Sequence, residues 1–158
     1  AYRRQRQMCI RDSTPTFPYI IHNIYSVVLN LSFCNMGFQP KSYNRVTIVD
    51  LSHNRLTSWH FLSFTQVLYL QSNQIRAINF RLDKSTSYSL LQYLDLSDNS
   101  ICCIGQNNFT DLHNLLYLKL RNNGLNYIHP EAFSVLFKLS HLDLSNNHLH
   151  DLERSHFL

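Results

Sequence analysis

The chain contains one stretch, LQYLDLSDNSI at residues 91–101, that decides its fold because the same pattern returns at a fixed interval. It is found again as LLYLKLRNNGL at residues 115–125 and as LSHLDLSNNHL at residues 139–149, with the same shift each time. A repeat of about 24 residues indicates a solenoid, in which each unit buries its apolar face only by stacking on its neighbours. Stacked repeats form an extended surface, and such surfaces usually bind other macromolecules.

Weaker copies extend the repeat towards the N-terminus, at residues 26–36, 46–56 and 65–75. All copies follow the pattern Leu-x-x-Leu-x-Leu-x-x-Asn-x-Leu with some positions replaced, and this pattern resembles the leucine-rich repeat. The intervals between the residues at the asparagine position are unequal in the first half of the array and equal in the second, so the first half is the less regular. These anchor residues are Cys34, Asn54, Asn73, Asn99, Asn123 and Asn147.

The spacing within a repeat predicts its local structure. In Leu94-Asp-Leu96 a polar residue separates two apolar ones, which is typical of a short strand with one buried face. We therefore predict an α/β leucine-rich-repeat solenoid, a right-handed curved superhelix with short parallel strands on its concave face and an irregular or short helical convex side. The asparagine should turn inward and hydrogen-bond with backbone groups. Phe109, Phe133 and Phe157, ten residues after the last three asparagines, are expected in the core.

Composition divides the chain into three parts. Residues 1–13 are basic, do not fit the repeat and resemble a translated adapter sequence; we interpret them as a non-native segment, with a basic signal-peptide start or a natural arm as alternatives. Residues 14–24 are expected to form an irregular lead-in. Residues 25–158 are expected to form the repeat domain, with about six repeats, and we interpret this domain as truncated at both ends.

The net charge gives no specific signal for nucleic acid. Residues 1–13 carry +3 of the total +4, which leaves +1 for the whole of the remaining chain. A binding site for nucleic acid or an anionic membrane needs a concentrated basic surface, and this balance does not supply one. We expect any membrane association to come only from further parts of the parent protein.

The sequence contains no enzymatic motif that we recognise. With only three glycines it cannot build a phosphate-binding loop, and it has no His-Glu-x-x-His or Gly-x-Ser-x-Gly. His148 and His150, with His141 and His156 near in sequence, could bind a metal or sense acidic pH. No carboxylate or cysteine completes a ligand set, so scattered surface histidines are the favoured interpretation. We predict a non-enzymatic chain without cofactor or metal.

Cysteines and glycosylation sequons point to different compartments. Cys34 and Cys102 lie three repeats apart, about 14 Å at one strand spacing per repeat, and a disulfide needs Cα atoms within roughly 7 Å. A bond between the adjacent Cys102 and Cys103 would be strained, so free thiols are expected, which favours a reducing compartment. Asn108 and Asn30 lie in Asn-x-Ser/Thr sequons and are candidate glycosylation sites of a secreted protein.

The residues that alternate with the core leucines should form three columns on the concave face. Tyrosine and arginine are enriched at binding hot spots, whereas tyrosine is also favoured in strands by propensity alone. The columns are Val28, Ile48, Val67, Tyr93, Tyr117, His141; then Asn30, Asp50, Tyr69, Asp95, Lys119, Asp143; then Ser32, Ser52, Gln71, Ser97, Arg121, Ser145. The candidate ligand-binding residues are Tyr69, Tyr93, Asp95, Tyr117, Lys119, Arg121, His141 and Asp143.

The repeat period of the second half, the x-Phe-x-x-Leu continuation and the irregular early spacings resemble the ectodomains of Toll-like receptors and related animal cell-surface proteins. The resemblance implies an extracellular or cell-surface glycoprotein that recognises a protein or other macromolecular ligand, with receptor dimerisation, signalling by a separate domain and a role in innate immunity. The alternative is a cytoplasmic leucine-rich-repeat scaffold or regulatory subunit. An enzyme is the least favoured class.

Overall fold

The computed structural model describes residues 20–23, 26–37, 46–59, 64–78 and 90–150. These residues form a seven-stranded main sheet in the order β1-β2-β3-β4-β5-β7-β9 and a two-stranded sheet of β6 and β8. The strands are β1 (Ile20–Asn23), β2 (Ser26–Asn30), β3 (Ile48–Asp50), β4 (Val67–Tyr69), β5 (Tyr93–Asp95), β6 (Cys103–Ile104), β7 (Tyr117–Lys119), β8 (Tyr127–Ile128) and β9 (His141–Asp143). From β2 onward all neighbours in the main sheet are parallel, as stacked solenoid coils require.

Each short strand from β3 onward in the main sheet has one core residue at its centre, and most of the residues that flank it remain partly or fully exposed. In β4, Leu68 is buried between the partly exposed Val67 and Tyr69, and Leu70 is buried just after the strand. The same rows of apolar side chains from successive coils merge into one core. Burying each such side chain contributes about 1.5–3 kcal/mol relative to leaving it exposed. The predicted solenoid of parallel strands is therefore confirmed.

Unequal repeat lengths do not disturb the strand register. Val49 pairs with Leu68 and Leu68 pairs with Leu94, although the second of these intervals in the sequence is clearly the longer. Core residue therefore faces core residue in every coil, and the difference in length is accommodated outside the strands. Because the register is the same in every coil, the residues of each predicted column lie side by side.

The anchor asparagines turn inward, as predicted. The Asn123 side-chain amide donates to the carbonyl oxygens of Leu96 in the preceding coil and Leu120 in its own, and its oxygen accepts from the Ile101 N–H. Each asparagine thus satisfies backbone groups of two coils, which ties the turns of the solenoid together. The same bonding to the preceding coil is made by Asn54, Asn73, Asn99 and Asn147.

The residue before each anchor has a left-handed backbone, which produces the sharp turn after the strand. The φ angles lie between 52° and 59° at Phe33, His53, Ser72, Asp98, Asn122 and Asn146. Asparagine and aspartate tolerate this conformation, whereas larger side chains are unusual there. Phe33 and His53 occupy it in the first two described coils with their rings stacked, 4.1 Å between centroids.

The N-terminal edge of the main sheet differs from the expected irregular lead-in. Residues Ile20–Asn23 form β1, which pairs antiparallel with β2. A strand at the edge of a sheet exposes unpaired backbone groups, and an added antiparallel strand satisfies them. The expectation of irregular structure is therefore wrong at these four residues, and residues 1–13 lie outside the described part of the chain.

The side of the coils opposite the main sheet consists of turns and the small parallel sheet of β6 and β8. No helix is found in the described residues, so this side is of the irregular kind. Phe109 and Phe133 are buried there with their rings stacked, 5.8 Å between centroids, as predicted for the core. Phe157 lies outside the described residues.

The cysteines do not all follow the prediction. Cys102 and Cys103 are free, so the expected absence of a bridge between Cys34 and Cys102 is confirmed. Cys34 is nevertheless disulfide-bonded. The expectation of free thiols is therefore wrong for Cys34, because the spacing argument considered only a bridge from Cys34 to Cys102.

Candidate ligand-binding face

The first two predicted columns lie on the side of the main sheet opposite the core leucines, which we call the sheet face. In the third column Arg121 and Ser145 are exposed, whereas Ser32, Ser52 and Ser97 are buried. Strand register aligns the first column, because Tyr93 pairs with Val67 on one side and Tyr117 on the other, and Tyr117 pairs with His141. The second column is aligned in the same way through Asp95 and its neighbours. All eight candidate ligand-binding residues are therefore brought onto one face.

Four aromatic rings stand in a row across the sheet face. Centroid distances are 5.2 Å between Tyr69 and Tyr93, 5.9 Å between Tyr93 and Tyr117, and 4.4 Å between Tyr117 and His141. The last pair is stacked, with 17° between the ring planes, and the first two are tilted. We call these residues the aromatic row. Rings that pack along the sheet cover part of one another's faces, so a ligand meets the row largely at ring edges.

Lys119 is held beside the centre of the aromatic row. Its Nζ lies 5.4 Å from the centroid of the Tyr93 ring and 3.9 Å from Asp95 Oδ2. The Tyr93 hydroxyl donates to the same carboxylate oxygen at 3.4 Å. Tyr93 is the largest cause that raises the pKa of the Lys119 ammonium, and the carboxylates of Asp95 and Asp143 add to it. Lys119 is therefore a positioned cation whose charge is partly balanced on the face itself.

The carboxylates of the second column serve the turns that follow the strands. Asp143 Oδ1 accepts from the Ser145 backbone N–H at 3.0 Å and from its hydroxyl at 2.6 Å. These bonds to Ser145 are the largest causes that lower the pKa of Asp143, and the charges of Arg121 and Lys119 lower it further. Equivalent bonds join Asp50 to Ser52, Asp95 to Ser97 and Asn30 to Ser32.

This structural role was missed by the sequence analysis, although a signal for it is present. The tripeptide Asp-Leu-Ser recurs at residues 50–52, 95–97 and 143–145. Aspartate commonly accepts a hydrogen bond from the backbone two residues on. Asp95 and Asp143 are therefore turn-stabilising residues first, and only their second carboxylate oxygens remain for other contacts.

The groups least engaged by the protein are at the C-terminal half of the sheet face. Arg121 is exposed, and the Lys119–Asp95 pair is the one ion pair found among the described residues. Tyr117 is 38% exposed, the most of the three tyrosines in the row. By contrast, burial is the largest cause that raises the pKa of Tyr69. A ligand would therefore meet Tyr117 and Arg121 before it meets Tyr69.

Both sequon asparagines have their amide groups engaged. Asn108 Nδ2 donates to the Ile78 carbonyl at 2.6 Å, and its oxygen accepts from the Gly105 N–H. Asn30 Nδ2 donates to Asp50 Oδ2 at 3.1 Å. A glycosylated asparagine keeps one N–H, so the Asn108 bond is compatible with a glycan that leaves on the solvent side.

The histidines do not assemble a metal site in the part of the chain that the structure describes, where no group of three or more His, Cys, Asp or Glu side chains could hold an ion. His141 instead stacks on Tyr117, with its Nδ1 2.9 Å from the Ser140 hydroxyl. His148 and His150 are exposed, and His156 lies outside the described residues. A search of the described residues for a helix long and apolar enough to cross a membrane found none.

Comparisons with known proteins agree with this architecture. The family model described as leucine rich repeat matches residues 89–149, and no curated protein matches the sequence significantly. Among solved structures, the Toll–Spatzle complex, described as a molecular hub in Drosophila development and innate immunity, contains a similar chain. The TM-score is 0.63 and the sequence identity is 25%. The match covers 76% of the present chain but only 17% of the similar chain in the complex. Residues 89–149 are therefore leucine-rich repeats, and over most of its length this chain resembles a fragment of a Toll-like ectodomain.

Proposed function

We propose that this chain is a non-enzymatic binding module of an extracellular or cell-surface receptor, and that its sheet face recognises a polypeptide ligand. The leucine-rich repeats and the Toll-like neighbour support the coarser statement, a protein-binding repeat module. The observation that carries the finer statement is the aromatic row with the exposed Arg121 beside it. Aromatic and arginine side chains on a rigid sheet are the groups that most often dominate binding energy at protein interfaces.

The geometry of the aromatic row favours a polypeptide over a nucleobase. Bases bind aromatic side chains through open ring faces, whereas His141 stacks on Tyr117 and the Lys119 ammonium lies over Tyr93. Ring edges and tyrosine hydroxyls suit backbone carbonyls and apolar side chains. The guanidinium of Arg121 suits a carboxylate, which it can bind through two parallel hydrogen bonds. The expected ligand is therefore a polypeptide with an acidic side chain next to an apolar one.

The similarity to a chain of the Toll–Spatzle complex supports an extracellular location for the module. The free thiols of Cys102 and Cys103 favour the alternative, a cytoplasmic scaffold or regulatory subunit. We give the similarity more weight because exposed thiols also occur outside the cytosol. Glycosylation of Asn108 and of Asn30, and dimerisation of the receptor, belong to the same proposal.

The test is site-specific photo-crosslinking from the sheet face. A photoreactive phenylalanine analogue placed at Tyr117 should capture a protein from conditioned medium of the source tissue. The matched control is the same analogue at Tyr127, which is 52% exposed but lies in the small sheet. Capture from Tyr117 that disappears in Arg121→Glu would support a ligand on the sheet face.

The same experiment separates the two candidate functions. Capture from a cytosolic extract but not from conditioned medium would favour the scaffold. Equal capture from Tyr117 and Tyr127 would contradict recognition by the sheet face. Analytical ultracentrifugation of the captured complex would show whether two copies of the chain assemble on one ligand, as the proposed dimerisation requires.

A further inference from the structure

The two adjacent cysteines that follow the Asn99 turn form a feature that the proposed binding function does not use. Cys102 and Cys103 are both free and exposed, and their Sγ atoms are 3.5 Å apart. Cys103 begins β6, where it is paired with Tyr127 of β8, and the Cys102 carbonyl accepts from the Asn126 N–H. The backbone that carries both thiols is therefore held by the next coil, and the sulfurs are presented together on the small sheet.

We propose that Cys102 and Cys103 form a chelating dithiol site for a trivalent arsenical or a chemically similar pyramidal thiophilic centre. The reaction is a condensation: a substituted arsenic(III) oxide forms two arsenic–sulfur bonds, the arsenic–oxygen bond breaks, and both thiol protons leave with that oxygen as water. No electron is transferred, so no oxidant or reductant is required.

The sulfur–sulfur distance selects this class of ligand. With each sulfur about 2.3 Å from a bound centre, as for zinc thiolates, a separation of 3.5 Å gives a bond angle of about 99° at that centre. A pyramidal trivalent centre has bond angles close to this value. A linear two-coordinate ion would need its sulfurs about 4.6 Å apart. A structural zinc would need two further ligands, and the described residues contain no group of three or more metal-binding side chains.

The backbone geometry separates chelation from oxidation. A disulfide usually has its Cα atoms about 4.4–6.8 Å apart, whereas Cys102 and Cys103 are adjacent and joined by a trans peptide, which sets their Cα atoms at about 3.8 Å. The contact with Cys102 is the largest cause that raises the pKa of the Cys103 thiol, with desolvation adding to it. A protonated thiol is a poor nucleophile towards disulfides. The pair is therefore expected to remain reduced in air while still capturing a ligand that needs no movement of the sulfurs.

The test uses phenylarsine oxide as the probe on the full chain, purified without added thiol. Intact mass spectrometry should show one adduct per chain, with the mass of the probe less one water. The adduct should survive a large excess of a monothiol and be removed by a dithiol. Matched Cys102→Ser and Cys103→Ser variants lose the second bond, so their adducts should be displaced at monothiol concentrations about 100-fold lower or more, because the linked second thiol acts at a high effective concentration.

Each single variant retains one exposed thiol of the pair, and counting the cysteines that react with iodoacetamide can verify this. Each variant therefore serves as the matched control for the other. A wild-type adduct that the monothiol displaces as easily as the variant adducts would overturn the proposal. So would isolation of the chain with Cys102 and Cys103 already joined to each other as a disulfide. Loss of the adduct in only one variant would also contradict chelation, because it would assign the reaction to a single thiol.

Discussion

Replacing Asn123 with alanine should destabilise the solenoid by removing a side chain that joins two coils. Asn123 is buried, and its amide nitrogen donates to the carbonyls of Leu96, Leu120 and Arg121. Its oxygen accepts from the Ile101 backbone N–H. An alanine at this position makes none of these four bonds and leaves the leucine core in place.

The magnitude depends on which backbone groups keep another partner. The Leu96 carbonyl still accepts from Asn99, the Leu120 carbonyl from Asn147, and the Arg121 carbonyl from the Asp98 N–H. The Ile101 N–H has Asn123 as its partner and is buried, so it becomes an unsatisfied donor, which costs about 1–3 kcal/mol. With the weakened bonds to the carbonyls added, we expect the free energy of unfolding to fall by roughly 2–4 kcal/mol.

Urea unfolding followed by circular dichroism measures this change, with the slope of the transition checked for cooperativity. The matched control is Asn126→Ala, because Asn126 is exposed and its side chain makes no hydrogen bond to other described residues; it should change stability by less than about 0.5 kcal/mol. Asn123→Ala within the same limit would refute the reasoning.

A second variant, Asn123→Asp, separates the two halves of the interaction. The carboxylate still accepts from the Ile101 N–H, but it faces three carbonyl oxygens without a proton to donate. Burial and these oxygens should raise the pKa of the introduced carboxyl in the folded state above its unfolded value. The variant should therefore be most stable at acidic pH and lose stability as the pH rises from the unfolded pKa towards the raised folded-state pKa. A destabilisation independent of pH would contradict the carbonyl contacts.

Three further predictions concern the surface. Replacing both Tyr93 and Tyr117 with alanine should weaken a sheet-face ligand by about 2 kcal/mol or more with the circular dichroism spectrum unchanged; unaltered affinity by calorimetry would place the ligand elsewhere. Ser145→Ala should move the carboxyl titration of Asp143 to higher pH in NMR, because it removes the hydroxyl bond that is the largest cause of the lowered pKa and leaves the backbone bond; the stability that Asp143 contributes is present above its unfolded pKa and lost as the pH falls through the depressed folded value. Secreted protein should carry a glycan at Asn108, and mass spectrometry of an unmodified peptide would contradict this.

The repeat pattern was sufficient to predict the solenoid and the composition of each column. The reason is physical: strand side chains alternate with period two, so the central leucine of each copy determines which neighbours face solvent. Register then follows, because a shift of one residue would expose Leu68 or Leu94 and bury their charged or aromatic neighbours. Even the degraded copy at residues 26–36 keeps Leu29 in the core.

The remaining features depend on contacts that no repeat period encodes. Strand β1 is formed by residues that precede the array, and the repeat period does not predict that Cys34 is disulfide-bonded. The small sheet of β6 and β8 forms because Cys103 and Tyr127 lie at equivalent positions in consecutive copies of equal length. The interpretation of residues 1–13 as non-native stays a prediction. A genomic reading frame that encodes them directly upstream of Thr14 would contradict it.

Two coils lack the turn bond between the second-column residue and the residue two positions on, and they lie at the candidate site. In most coils the second-column residue stabilises its own turn, as Asp50 does through Ser52. In β4 and β7 the equivalent pairs are Tyr69 with Gln71 and Lys119 with Arg121, which cannot make that bond. Gln71 Oε1 is buried without a hydrogen-bond partner among the described residues.

These departures coincide with the aromatic row and with the exposed cation on the sheet face. A buried polar atom without a partner, such as Gln71 Oε1, costs free energy, so stability alone does not explain it. The proposed recognition of a ligand through Tyr117 and Arg121 is one explanation. Asp95 and Asp143, in contrast, accept bonds from their own turns, and Asp95 also pairs with Lys119. Among the eight predicted residues we therefore expect the carboxylates to orient the face and the aromatic and cationic side chains to bind.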